Sequence, residues 1–463
     1  MINVAHDLHY DELRKQISDL IAYVRQNNAI EPSVFEKYNV KRGLRNKNGT
    51  GVLVGMTRIS DVVGYAIEDG KKIPVKGQLK YRGIPLDDLI NGFIEEERYG
   101  YEEVAYLLLF GLLPTEKSLL HFNQLLSQRR NFPATFKEDV ILKTPSRNIM
   151  NKLQSIILAL YTYDDNPDDV SLDKLLAQSI DLIAKVPLML AYAYQAKRHY
   201  FDNKSLILHQ PLIDGGTAEN ILHLTRPDSH FTRQEAEMLD LLLCVQADHG
   251  GGNNSAFATH VVSSSGTDTY SAITTAIGSL KGPRHGGANQ RVHQMVEDIK
   301  GHVKDWKNEK ELRAYLEKII DGKAFDGSGL IYGMGHAVYT KTDPRAELLQ
   351  DKARALAERT NHLPEYELIT DIARLTQAIL KDRKGPDYDI CANVDLYTGV
   401  IFDMLGIDED LYTPLFAAAR MVGWCAHRME QVMDSKIMRP AYVYLPSNNL
   451  TYTPIADRHS MSR

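Results

Sequence analysis

The chain has few cysteines, no unbroken apolar run of membrane length and no excess of positive charge, and each shortage narrows what it can be. Three cysteines in 463 residues, Cys244, Cys391 and Cys425, lie far apart inside apolar segments. They offer neither a disulfide framework nor the paired spacing of a zinc site, and read as small buried hydrophobes in a reducing compartment. The opening stretch, MINVAHDLHYDELRKQ, carries acids early and lacks the apolar core of a signal peptide, so a cytoplasmic location is expected. The longest apolar stretch, near Leu182 to Ala196, is interrupted by Lys185 and Pro187 and is too short to span a membrane. Charge is nearly balanced: 54 Lys and Arg against 60 Asp and Glu give a formal net charge of −6, without basic runs. That leaves no electrostatic footprint for nucleic acid, and an anionic ligand must be held by individually placed arginines.

What is present is ordinary globular composition, 43% hydrophobic and 25% charged, in a length that suits two or three domains or one large helical one. Asp11 to Val24 reads as a short amphipathic helix, followed by a basic, Gly- and Asn-rich stretch ending near Gly51. Between Gly51 and Val75, β-branched residues and an Asp69-Gly70 turn predict a hairpin, the one convincing β segment. Helical spacing dominates afterwards, with Pro85 opening a helix, a buried helix over Tyr101 to Phe110, further ones over Lys152 to Tyr161 and Leu182 to Arg198, and a Thr232/Glu235 capping box. The acidic cluster Asp164 to Asp169 lacks calcium-loop spacing and reads as a solvated turn with a helix cap.

Four stretches set a polar residue beside glycine or at a helix end. In GSLKGPRHGGANQRV, His285 stands between Gly282-Pro283 and Gly286-Gly287, near the start of a second helix whose unpaired N–H groups and dipole disfavour a protonated ring. It is either a neutral donor able to polarise a carbonyl or a histidine that caps a helix junction. In GLIYGMGHAVYTKTDPR, Gly333 and Gly335 precede His336, and Asp343-Pro344-Arg345 has the order N-cap, first helical position, first turn. Gly333 and Gly335 do not form a dinucleotide loop, because the third glycine and the βαβ context are missing. In ANVDLYTGVIFDMLG, Asp395 heads a helix, where an N-cap role is sufficient by itself. In TPLFAAARMVGWCAH, Arg420 sits among apolar residues, a place for a paired or ligand-holding arginine. Together these supply a carboxylate base, neutral donors and carboxylate-binding arginines, the set needed to make and use an enolate.

The motifs GPRHGGAN, GMGHAVYTKTDPR, NVDLYTGV, DHGGGN around His249, and AARMVGWCAH with IMRP resemble those of the citrate synthases, with weaker agreement back to about Gly51. The resemblance implies a mainly α, two-domain helical fold with a small N-terminal β-hairpin region. Its expected divisions are an N-terminal helix and basic loop over 1–50, a large domain over 51–291 and 406–463, and a small domain over 292–405 that closes on the substrates. It implies a homodimer with a shared active site, acetyl-CoA and oxaloacetate as substrates, and neither a metal nor a tightly bound cofactor. It assigns the methyl-proton base to Asp395, the donor to the thioester oxygen to His285, and the donor to the oxaloacetate carbonyl to His336. His249, Arg345 and Arg420 would hold carboxylates, with Arg439 reaching across from the partner subunit, while Gly333, Gly335 and Lys341 would face CoA. Arg284 and Thr340 depart from many relatives, and Lys341, Arg42, Arg45 or Lys47 could serve the CoA phosphates.

Other readings differ in class. A 2-methylcitrate synthase would use propionyl-CoA through the same residues. A metal-dependent hydrolase would be built on His249, His260 and His285, but the HExxH and Cys/His spacings are missing. A catalytically inactive helical dimer that binds acyl-CoA would bind without turnover.

Overall fold

The computed structural model describes residues 5–434, 436–445 and 452–458. Contacts divide the chain into two units, Met1–Val54 with Arg439–Arg463, and Gly55–Met438. The first contains a 24-residue helix, Ala5–Asn28, longer at both ends than its apolar spacing predicts, and the loop bearing Arg42, Arg45 and Lys47.

The second unit is helical apart from one sheet. β1 (Ser60–Glu68) and β2 (Lys71–Tyr81) pair antiparallel around Asp69-Gly70, both at positive φ, as a two-residue hairpin turn requires; β3 (Ile84–Pro85) adds a short edge. The helix expected to open at Pro85 starts one residue later, at Leu86, because Pro85 is still extended and paired in the sheet. The capping box forms as read: Thr232 accepts from the Glu235 N–H, and the Glu235 carboxylate returns to the Thr232 N–H.

Two helices form the backbone of this unit. Leu172–Asp202 runs for 31 residues through Pro187, which removes one hydrogen bond without stopping the helix because apolar neighbours bury it on every side. It is the one described helix long and apolar enough to cross a membrane, and most of that apolar window is buried inside the protein. Tyr412–Asp434 is buried from Tyr412 to Arg428 and packs against Leu172–Asp202, Arg233–Gln246, Asn254–Ser263 and Thr269–Leu280. A helix hydrophobic all round must lie inside, so its polar residues are brought inside with it.

The helices Ala288–His302, Glu309–Ile320, Pro344–Thr360, Leu363–Lys384 and Val394–Met404 pack chiefly on one another, within the same unit. β2 touches the Pro344–Thr360 helix, where the Gly77 N–H donates to Thr342 Oγ1 at 3.0 Å and the Tyr339 hydroxyl donates to the Gln78 carbonyl at 3.3 Å. The hairpin thereby fixes the 336–345 segment that carries His336 and Arg345.

The acidic cluster is more than a solvated turn. Asp164 is largely buried, pairs with Lys174 and accepts from Gln178 and Tyr270, which together hold its carboxyl down to about 2; Ser171 caps the following helix.

Candidate active site

The site is assembled from five segments of the second unit. The Arg233–Gln246 helix ends at the turn 247–253, which presents His249 and Asn253. His249 is buried, its ring meets that of His336 edge-on at 5.1 Å, and its Nε2 has no hydrogen-bond partner. Burial first, then Arg345 and His336, push its pKa well below the ordinary value, so the ring is neutral.

His285 lies three residues before the Ala288–His302 helix, whose N-cap is Gly287. Its Nε2 lies 3.0 Å from Ser255 Oγ, which also accepts from Trp424 Nε1 at 3.0 Å. The ring is held neutral, its pKa pushed down to about 3, chiefly by burial and then by Arg420 and Arg345. The helix end is therefore not the main cause that the sequence suggested. Arg284 is exposed beside it.

His336 stacks on Tyr339 with ring centroids 4.7 Å apart, and its Nδ1 accepts from the N–H groups of Val338 and Tyr339, both at 3.1 Å. With Nδ1 an acceptor, the neutral ring carries its proton on Nε2 and can donate there. Gly333 and Gly335 meet a need within the protein: the Asn393 N–H donates to the Gly333 carbonyl, and the Gly335 N–H to the Cys391 carbonyl at 2.7 Å. At Gly333, φ is 83° and a Cβ would lie 2.8 Å from that of Leu396, so the backbone can press on the Val394–Met404 helix only as glycine. These contacts bring the His336 loop to Asp395. Lys341 is exposed.

Asp395 is not the helix cap. Asn393 caps Val394–Met404 by accepting from the Asp395 N–H at 3.0 Å, which leaves the Asp395 carboxylate for other work. Its Oδ1 is shielded from solvent and has no partner. Desolvation pushes its pKa up to about 7 against the opposing pull of Arg345 and Arg420, the range expected of a general base.

Arg345 is buried and clamped by Asp343, which accepts from its Nε at 3.0 Å and its Nη2 at 2.8 Å. Asp343 thus caps the helix and orients the arginine. Arg420 is fully buried; Nε donates to the Gln246 carbonyl at 2.7 Å, the guanidinium lies 4.9 Å over the Phe416 ring, and Nη2 has no partner. Burial pushes it down to about 10, still charged at neutral pH.

Six predicted residues therefore converge: His249, His285, His336, Arg345, Asp395 and Arg420. Arg439 is exposed and belongs to the other unit. Sequence reasoning passed over Asn253, Ser255, Asp343 as an orienter, and Phe416; the GGGNN run and the early polar residues of the Asn254–Ser263 helix were the available signals. A carboxylate near its working pKa, neutral imidazole donors and open guanidinium N–H groups are a centre for enolate formation beside bound carboxylates.

Fold comparison places this helical architecture among solved citrate synthases. A ternary complex of the Thermoplasma acidophilum enzyme with carboxymethyl coenzyme A and oxaloacetate superposes with a TM-score of 0.73 at 24% identity, covering 90% of this chain and 99% of that one. The Pyrobaculum aerophilum citrate synthase gives 0.71 at 29% identity over 88% and 94%. In sequence, residues 46–441 match the family model "Citrate synthase, C-terminal domain". The citrate synthase of Synechocystis is 32% identical over 88% of this chain and 92% of its own. The 2-methylcitrate synthase 1 of Corynebacterium glutamicum is 31% identical over 90% and 98%. The chain belongs to the citrate synthase family, a family of acyltransferases.

Proposed function

We propose that this protein condenses acetyl-CoA with oxaloacetate and hydrolyses the resulting citryl-CoA to citrate and CoA. One observation carries the reading: a carboxylate with one shielded, unpartnered oxygen, poised near neutral pH, shares a site with neutral histidines and two buried guanidiniums. Asp395 takes a proton from the acetyl methyl group. Ser255 Oγ accepts from Trp424 Nε1, and in this reading its hydroxyl donates to His285 Nε2, so that Nδ1–H is the donor to the thioester oxygen. His336 donates through Nε2–H to the oxaloacetate carbonyl, while Arg345, Arg420 and His249 hold its carboxylates. No step requires a metal.

The segment 292–405 acts as a small domain that closes over the substrates and excludes water from the enolate. The protein works as a homodimer in which the partner's Arg439 completes the site, and Lys341 faces CoA. Mixing subunits that carry Arg439→Ala with subunits that carry His285→Ala tests this, since heterodimers regain part of the activity only if the two residues serve one site from different chains. Relatives named 2-methylcitrate synthase support a second activity with propionyl-CoA, because one methylene discriminates by only about 1–3 kcal/mol. The deciding assay is thiol release from acetyl-CoA and propionyl-CoA, with and without oxaloacetate, in chelator. Release that needs oxaloacetate and ignores the chelator is expected; release without oxaloacetate would make the protein a thioesterase.

A further inference from the structure

Beneath His249 lies a buried polar chain that no substrate-facing role explains. Asp248 accepts from His427 Nε2, with both carboxylate oxygens at 3.2 Å, from the Ser60 hydroxyl, and from the Gly250 N–H at 3.0 Å. His427 Nδ1 lies 3.1 Å from His260 Nε2, and His260 Nδ1 lies 3.0 Å from Gln431 Oε1. Hydrogen accounting in this arrangement is tight. If His427 gives Nε2–H to Asp248 and His260 gives Nδ1–H to Gln431, the two facing nitrogens are both lone pairs unless one ring carries an extra proton. Burial would oppose that proton, but the Asp248 carboxylate first, and then Glu430 with an oxygen 3.9 Å from His427 Nδ1, outweigh it and raise His427 to about 9. The pair is therefore an ion pair.

The chain spends backbone space to hold Asp248 there. Gly423, on the Tyr412–Asp434 helix, is where a Cβ would lie 2.4 Å from Asp248 Oδ1 and 2.5 Å from the Ala247 carbonyl oxygen. That helix also carries Arg420, and it is stitched to the 246–255 segment at Gln246, Asp248 and Ser255 by Arg420, His427 and Trp424 respectively. An Arg420 that engages a ligand shares its hydrogen bonds with it, and the His427 and Trp424 ties remain.

Resting on the oxaloacetate reading above, we propose that Asp248 and His427 are positioning residues for oxaloacetate: their ion pair locks the 248–253 turn onto the arginine-bearing helix, which sets the distance between His249 and Arg420. The pair touches no substrate. It acts by fixing the spacing between two carboxylate-binding groups.

The test measures oxaloacetate affinity directly, by equilibrium binding, together with kcat and both KM values for the wild type, Asp248→Asn and His427→Gln. Oxaloacetate affinity is expected to fall at least tenfold in each folded variant, while KM for acetyl-CoA at saturating oxaloacetate changes less than twofold. A role in stability alone would lower the melting temperature and leave the affinity of the folded protein unchanged. Ser60 donates a charge-assisted hydrogen bond that holds the Asp248 carboxylate in place for His427, and it accepts from the Gly250 N–H at 2.9 Å, so Ser60→Ala loosens the same lock and remains informative if the other variants do not fold; a three- to tenfold loss of affinity is expected. Affinity within twofold of wild type in folded Asp248→Asn, or in Ser60→Ala if that alone folds, overturns the inference. A wild type that shows no oxaloacetate-dependent thiol release overturns instead the functional reading on which it stands.

Discussion

Arg420 and Arg428 sit eight residues apart on one helix, are 0% and 1% exposed, and are both pushed down to about 10 by burial, yet they are built for different ends. Arg428 is closed: Nε donates to Thr269 Oγ1 at 3.1 Å, Nη1 to Ser263 Oγ at 3.1 Å, and Nη2 to the Thr267 carbonyl at 2.7 Å. Arg420 is open, with Nη2 shielded from water and unpartnered. A buried donor without a partner costs about 1–3 kcal/mol, and at Arg420 Nη2 a ligand oxygen would recover that cost. The same contrast separates Asp395, with an unpartnered oxygen and a pKa near 7, from Asp164, fully engaged and held near 2.

The sharpest break in this contrast is at Asp395. Asp395→Asn is expected to lower kcat by about 10³-fold or more and to abolish hydrogen exchange from the acetyl methyl group, while oxaloacetate still binds. Exchange that persists in the variant would remove Asp395 from the base role.

Removing each arginine in turn sharpens the distinction between open and closed. Arg420→Leu is expected to weaken oxaloacetate binding by about 2–5 kcal/mol and to cost less stability than Arg428→Leu, since it strands two acceptors, the Gln246 carbonyl and Asn253 Oδ1, rather than three. Arg428→Leu should cost about 3 kcal/mol of stability, because Thr269, Ser263 and the Thr267 carbonyl lose their partner, with affinity per folded molecule retained. Denaturant unfolding beside equilibrium binding reads both, and exchanged outcomes would dissolve the distinction.

The pH dependence follows from the same open carboxylate. With Asp395 at about 7 and His285 at about 3, kcat/KM should climb roughly tenfold per pH unit below neutrality and level off above it. His285 is neutral throughout that window. An acid limb centred below pH 5 would show that Asp395 is not desolvated.

The smallest effect is on stability. An acid whose folded pKa is raised costs the fold increasingly as pH climbs from its ordinary 3.8 through about 7, because above that range the charge must be buried. Asp395→Asn is therefore expected to be more stable than wild type at pH 8 by roughly 1–3 kcal/mol, and equal to it at pH 4, as read by urea midpoints.

Much of this is legible in the amino-acid sequence. Apolar spacing identified the Tyr101–Phe110 helix at its observed bounds, and the Asp69-Gly70 turn and the capping box are local chemistry, set by neighbours within a few residues. The glycines around His285 and before His336 marked presented histidines, because a backbone conformation or close approach open to glycine is written in sequence. The helix read over Leu182 to Arg198 runs through Pro187 as expected, and it extends further at both ends, to Leu172 and Asp202, with burial against the core continuing past the apolar run on the N-terminal side.

What tertiary structure alone decided is which polar atoms are spent. Asp395 looked like a cap because aspartate at a helix start usually is one; only the position of Asn393, two residues earlier, frees its carboxylate. Likewise, Arg420 and Arg428 are alike in sequence, each a cation on an apolar helix. Thr269, Ser263 and Thr267 close one, and the chain returning at Asp395 and Arg345 makes the other a site. Periodicity and turns are set by near neighbours, but satisfaction of a buried donor depends on atoms more than a hundred residues away. The sequence thus determined the helices and the presented histidines, and the fold determined which charges remained available for chemistry.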